Sequence, residues 1–137
     1  MTGGEPTIHA DLPDFLHELK QMGYSVKLDT NGSHPQMLSQ VINQELVDFV
    51  AMDIKTVLKT DAYANIIGID NAELLEKVKQ SISILRQGLV TYEFRTTKIP
   101  NVHSPNIIER IKARLNENER LTINEYRDGN TISAIVF

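Results

Sequence analysis

Four stretches of this chain close apolar runs with groups that could hold something charged. They are Asp29-Thr30-Asn31-Gly32, Asp53-Ile54-Lys55, Glu93-Phe94-Arg95-Thr96-Thr97 and Asn124-Glu125-Tyr126-Arg127. Carboxylates, a guanidinium, an ammonium and side-chain amides can bind a polar ligand, hold a cation, or pair with one another. Asp53 interrupts the apolar run FVAMDIK, where an ionised carboxylate is costly without a partner. Lys55, two residues on, falls on the same side of an extended chain, so a structural ion pair and a ligand site are both open there. Arg95 has the same two readings, with Glu93 as the partner on its own face. Asp29 to Gly32 could equally be a plain turn, since Asp, Asn and Gly are ordinary turn formers. His9, His17, His34 and His103 show no metal-ligand spacing and read as surface or capping residues, while Met52 and the other methionines read as core.

The elements that must carry these groups are written in the apolar spacing. Asp11 can cap a helix with Pro13 in its first turn, and Leu12, Phe15, Leu16, Leu19 and Met22 follow helical spacing up to Gly23. Ser25–Asp29 reads as a strand, Asn31-Gly32 as a turn, and Ser33-His34-Pro35 as the start of a helix carrying Met37, Leu38, Val41 and Ile42. Val47–Ile54 is apolar enough for a strand buried on both faces. After the irregular stretch Val57–Gly68, Asn71–Arg86 forms the strongest helix, ending at Gly88. Leu89–Thr97 is a third strand, Ser104-Pro105 opens another helix, Leu121–Tyr126 is a fourth strand, and Thr131–Phe137 is a short fifth or an ordered tail. Strands alternating with helices imply parallel βαβ units, and such folds collect ligands at the carboxyl ends of their strands, where all four charged stretches fall.

Composition narrows the classes. At 137 residues the chain suits one domain, and its formal net charge of −4 gives no footprint for nucleic acid or an acidic membrane. No apolar run reaches the ~20 residues of a membrane span and no signal peptide is visible, so a cytoplasmic protein is expected. Cysteine is absent, which excludes disulfides and thiolate metal sites in these residues. One feature is odd: Gly3-Gly4-Glu5-Pro6 looks like the turn that closes a strand and hands over to a helix, with no strand before it.

The stretches TGGEPT, KLDTNGSHP, VDFVAMDIKT, YEFRTT and INEYRDGNT stand in the order and spacing of radical S-adenosylmethionine enzymes. The chain most resembles the activating proteins of anaerobic ribonucleoside-triphosphate reductase, with pyruvate formate-lyase activating enzyme as a more distant relative. The resemblance runs from Thr2 to about Thr131. It implies an α/β fold: an incomplete (β/α) barrel with about four parallel strands, corresponding to the later strands of the family barrel. Gly3-Gly4-Glu5-Pro6 then matches the motif that ends an earlier strand. The expected domain is a single partial one over residues 1–137, with the N-terminal strand, the cluster loop and the first helix absent.

That loop is where the family places CxxxCxxC, whose thiolates hold a 4Fe–4S cluster with one iron open to S-adenosylmethionine. Without cysteines this chain alone is expected to bind no cluster and to be catalytically inactive, and any cofactor affinity should be weak. The resemblance implies that Gly3 and Gly4 offer carbonyls to the methionine ammonium, with Glu5 in support. Asp29 faces the methionine moiety and, with Thr30 and Asp53, forms a monovalent-cation site. Asn31 belongs to the same strand-end motif, Lys55 reaches the ribose or carboxylate, and Arg95 lies under the nucleoside. Tyr126 and Arg127 stand where the family approaches its substrate. The implied partner is a glycyl-radical reductase, on which the whole enzyme generates its radical. Two other classes stay open: a non-catalytic protein-interaction module, and a small-metabolite or nucleoside-binding α/β domain. With earlier strands absent, Ser25–Asp29 becomes an edge, which predicts a homo-oligomer that covers it.

Overall fold

A computed structural model of the chain describes residues 4–54, 72–98, 105–125 and 134–136. Gly3, Lys55, Tyr126 and Arg127, the stretch 57–68, His103 and the Ser104 cap lie outside the described residues. A single 3-10 turn, Pro6–Ile8, leads into α1 (Leu12–Gln21), β1 (Val26–Thr30), α2 (Pro35–Asn43) and β2 (Phe49–Asp53). The later elements are α3 (Ala72–Arg86), β3 (Thr91–Lys98), α4 (Pro105–Lys112), β4 (Leu121–Glu125) and β5 (Ala134–Val136).

One sheet holds the five strands of the described residues in the order β4-β3-β2-β1-β5. The pairs β1–β2, β2–β3 and β3–β4 are parallel, as the alternation of strands and helices requires. The four expected strands are therefore present, with ends displaced by one or two residues. The fifth is a true strand that runs antiparallel to β1, Val26 facing Val136 and Leu28 facing Ala134. This corrects the expectation of a bare edge: the chain's own β5 pairs with β1, so that edge gives no reason for self-association.

The four described helices bury their apolar stripes against one face of the sheet. Leu12 and Leu16 of α1, Leu38 and Val41 of α2, Leu75, Val78, Ile82 and Leu85 of α3, and Ile111 of α4 join Leu28, Val50, Met52 and Phe94 in one core. The i, i+3, i+4 spacing in each helix puts these side chains on one side, and burial supplies the helix stability that propensity alone would not. Pro13 and Pro35 sit in first turns as expected. Asp11 occupies the cap position of α1, but its side chain makes no capping bond, contrary to its sequence reading. Gly23, at φ +88°, turns the chain from α1 into β1.

Two charged knots tie the amino ends of the strands. Asp48, just before β2, takes Lys20 Nζ on both oxygens at 2.8 Å, and its Oδ2 accepts the Val26 N–H at 2.7 Å. Glu119, just before β4, accepts from Arg86 Nε at 2.9 Å and Nη2 at 2.8 Å, from the Tyr92 hydroxyl at 2.8 Å and from the Asn116 N–H at 2.7 Å. Burial pulls the Glu119 carboxyl up, but the Arg86, Asn116 and Tyr92 hydrogen bonds together hold it below the usual carboxylate range. A depressed carboxylate contributes stability that is complete above its unfolded value and disappears as pH falls through its folded one. Glu119→Gln should therefore cost about 1–3 kcal/mol at neutral pH, the usual worth of hydrogen bonds to a charged group. Urea midpoints measured from pH 6 down to pH 3 should fall less steeply for the variant than for the natural chain below pH ~4.3, an ordinary glutamate's value.

Candidate functional site at the carboxyl ends of the strands

Successive residues of a strand point to opposite faces, so register alone divides the sheet into a core face and a polar face. Asp29, Ala51 and Glu93 stand in one row across β1, β2 and β3. One step further along, Asp53, Arg95 and Thr122 stand in the next row across β2, β3 and β4. Lys27 and Phe49 share this face nearer the amino ends, the ammonium 5.6 Å from the ring centroid. The other parity, Leu28, Val50, Met52 and Phe94, is the core.

The two rows meet in one ion pair. Arg95 Nη2 lies 2.5 Å from Asp29 Oδ2, so the guanidinium reaches across β2 from β3 to β1. Of the two readings open for Arg95, the partner is thus not Glu93 on its own strand but Asp29 two strands away. Glu93 instead accepts the Thr122 hydroxyl at 3.1 Å and lies 3.9 Å from the Arg120 guanidinium. Both members of the pair are largely sequestered, with Asp29 only 7% exposed. Burial pushes the Asp29 carboxyl up, against the Arg95 hydrogen bond and charge that favour its ionised form. Asp53 is half-buried, lies in register with Arg95, and adds a like charge that is felt at Asp29. Asp29 Oδ1 and Arg95 Nε are buried with no hydrogen-bond partner. Native structures rarely leave such atoms unmet, because each costs its desolvation without return.

Thr30 points the other way and does different work. Its hydroxyl donates to Glu5 Oε1 at 2.6 Å and accepts the Gly32 N–H at 3.1 Å. Glu5 Oε1 also accepts the Thr7 hydroxyl at 2.6 Å, and Oε2 accepts the Asn31 N–H at 2.7 Å. Glu5 thus straps the turn after Gly4 onto the end of β1. Asn31 Oδ1 accepts the Ser33 N–H at 2.9 Å, the local turn its residue type favours. Gly4, at φ +68°, holds a backbone conformation that side chains disfavour. Gly32, at φ +77°, is more constrained: a Cβ there would stand 2.2 Å from Met52 Cε. The structure brings Asp29, Asp53 and Arg95 together and sets Gly4, Glu5 and Asn31 around the end of β1. The Thr30 hydroxyl lies on the opposite face from Asp29, because neighbouring residues of a strand point to opposite faces.

Sequence reasoning missed Ser81, whose hydroxyl donates to the Gly32 carbonyl at 2.8 Å and fixes the β1–α2 turn from α3. The signal was a polar residue inside the stripe Leu75, Val78, Ile82 and Leu85. The unmet Asp29 and Arg95 atoms suit a ligand with both hydrogen-bond donors and acceptors, and S-adenosylmethionine has both. A 4Fe–4S cluster does not fit these residues: the chain has no cysteine, and no group of three metal-ligating side chains stands together among the described residues. No helix among them is long and apolar enough to cross a membrane.

No protein-family model matches the chain, and no solved structure does. Curated sequences do. The chain is 31% identical over 129 residues to a provisionally named glycyl-radical enzyme activating enzyme of Methanocaldococcus jannaschii, covering 92% of this chain and 53% of that protein. It is 33% identical over 92 residues to a provisionally named GTP 3′,8-cyclase of Saccharolobus solfataricus, covering 66% of this chain and 29% of the cyclase. A cyclase of Thermococcus kodakarensis, named in the same way, is 29% identical over 86 residues, or 62% of this chain and 28% of the cyclase. The chain thus spans about half the length of the activating enzyme and under a third of each cyclase.

Removing the Glu5 strap tests the construction of the site. Glu5→Ala leaves the Thr7 and Thr30 hydroxyls and the Asn31 N–H without their acceptor, a loss of about 1–3 kcal/mol. Amide hydrogen exchange should accelerate at Asn31 while staying slow at Val50 and Met52 in the core. Unchanged protection at Asn31 would show that the strap does not hold the turn.

Proposed function

Since the chain belongs to the radical S-adenosylmethionine family and aligns along most of its length with a glycyl-radical activating enzyme, we propose that it forms the cofactor-receiving strand ends of such an activase. In this reading it is a single cytoplasmic domain. The activity it serves is generation of a glycyl radical on anaerobic ribonucleoside-triphosphate reductase. The observation that carries the reading is the buried Asp29–Arg95 pair, with one carboxylate oxygen and one guanidinium N–H unmet. The ammonium of the methionine end would meet the Asp29 oxygen, and a ribose oxygen or adenine nitrogen would meet the Arg95 N–H. Bound S-adenosylmethionine would supply the family's one-electron chemistry, and these residues would bind and orient it.

Gly4 gives the backbone its approach at the turn, and Gly3 precedes it in sequence. Glu5 and Asn31 hold that turn against β1, while Thr30 anchors it from the core side through its hydroxyl. Asp29 and Asp53 place negative charge where an ammonium or a monovalent cation would lie, and Arg95 offers its N–H edge to the nucleoside. Lys55, two residues beyond Asp53, is assigned to the ribose or carboxylate. The cluster is not assigned to any of these residues.

Amide NMR with isotope-labelled protein and S-adenosylmethionine tests this reading. Shifts should concentrate at Asp29–Gly32, Asp53 and Arg95, and Arg95→Ala should weaken the response about tenfold, equivalent to ~1.4 kcal/mol for a charge-assisted contact. Absence of shifts at millimolar cofactor, or shifts centred on Asp48 and Glu119 at the opposite end, would overturn it.

A further inference from the structure

We propose that Ala51 is a positioning residue of this site: its small side chain is the passage through which Arg95 crosses β2 to reach Asp29. The identity of the ligand rests on the reading above, whereas the passage rests on the sheet alone. Neighbouring strands lie ~4.8 Å apart, so β1 and β3 stand ~10 Å apart with β2 between them. Ala51 is in register with Asp29 on one side and Glu93 on the other, and Arg95 is one step further along the same face. A guanidinium that starts at Arg95 and ends 2.5 Å from Asp29 must pass diagonally over β2 between positions 51 and 53.

The residues of β2 agree with this path. Phe49, Val50 and Met52 are all large, but Val50 and Met52 point into the core. On the polar face, at the place where Arg95 must pass, the strand carries a methyl group. Ala51 is 0% exposed although its face is lined by charged and polar groups. An arginine stem, apolar along its length, lying over that methyl fits both facts. A branched side chain at position 51 would fill the passage. Arg95 would then be left on its own side of β2, and Asp29 would stay buried without its cation.

The test reads Asp29 directly. In Ala51→Val the Asp29 carboxyl, followed by carbon-detected NMR titration, should move further up than in the natural chain, since the Arg95 charge is withdrawn and burial is kept. Ala51→Gly, which leaves the passage open, should titrate like the natural chain. The S-adenosylmethionine response should weaken about tenfold in Ala51→Val, as in Arg95→Ala. The double variant should be no weaker than Arg95→Ala alone, because a residue that acts through Arg95 adds nothing once Arg95 is gone. An unmoved Asp29 titration in Ala51→Val, or losses that add in the double variant, would overturn the proposal. If Ala51→Val does not fold, Ala51→Cys places one extra sulfur, a far weaker donor than a hydroxyl, in the passage and carries the same readings at smaller amplitude. Should no variant or natural chain respond to S-adenosylmethionine, the functional reading fails while the Asp29 titration still decides the role of Ala51.

Discussion

An ionised carboxylate beneath a sheet is tolerable only where a cation can reach it, and the rest of this site is arranged around that constraint. Asp29 is on β1 and its cation is on β3, so a whole strand intervenes. The pair exists because three conditions hold together. β2 lies between its partners in parallel register, Arg95 is long enough to cross, and Glu93 is occupied by Thr122 and Arg120 and does not compete for the guanidinium. The same register brings Asp53 beside Arg95, and its like charge is felt at Asp29. Burial favours a neutral Asp29 and Arg95 favours its charged form, a balance that a bound cationic or hydrogen-bonding ligand could tip.

The two ends of the sheet handle polarity in opposite ways. At the amino ends, Asp48 and Glu119 meet several donors each, from helix, strand and loop. Both carboxyls are held below the ordinary range despite the burial that opposes it. Such saturated knots stabilise the fold and leave no acceptor over for a ligand. At the carboxyl ends Asp29 and Arg95 satisfy each other only in part. Folds of this class place stability at the amino ends of parallel strands and binding at the carboxyl ends, and the saturated and unsaturated carboxylates of this sheet divide along the same line.

The alternation of strands and helices made the parallel sheet legible from the apolar spacing, and the strand-end motifs made the family legible. Strand ends moved by a residue or two because terminal hydrogen bonds, not hydrophobicity, decide them. Partner choice was less legible. Glu93 is the nearest same-face carboxylate to Arg95 in sequence, yet Arg95 turns to Asp29, a contact that depends on three strands at once. The Thr30 hydroxyl shows how the two-residue period divides neighbours: it goes to the core side, where Glu5 and the Gly32 N–H take it, while Asp29 faces the other way. Ala51 and Ser81 carry no chemistry in isolation. Their parts follow from what stands across from them.

The pairing of β5 with β1 bears on the site as well as on the edge. A parallel barrel would continue past β1 with another parallel neighbour, whereas among the described residues β1 has the antiparallel β5 on that side. An antiparallel strand needs no crossover helix, and here it brings three residues of backbone to satisfy the edge of β1. Among the described residues its register covers Val26, Lys27 and Leu28. Further along the strand the Glu5 strap binds Thr30 and Asn31 through its carboxylate. β1 is thus held by a backbone ladder over its amino-terminal residues and by a single side chain at its end. The second leaves the Asp29 side of the strand to Arg95, which is what a binding face at this position needs.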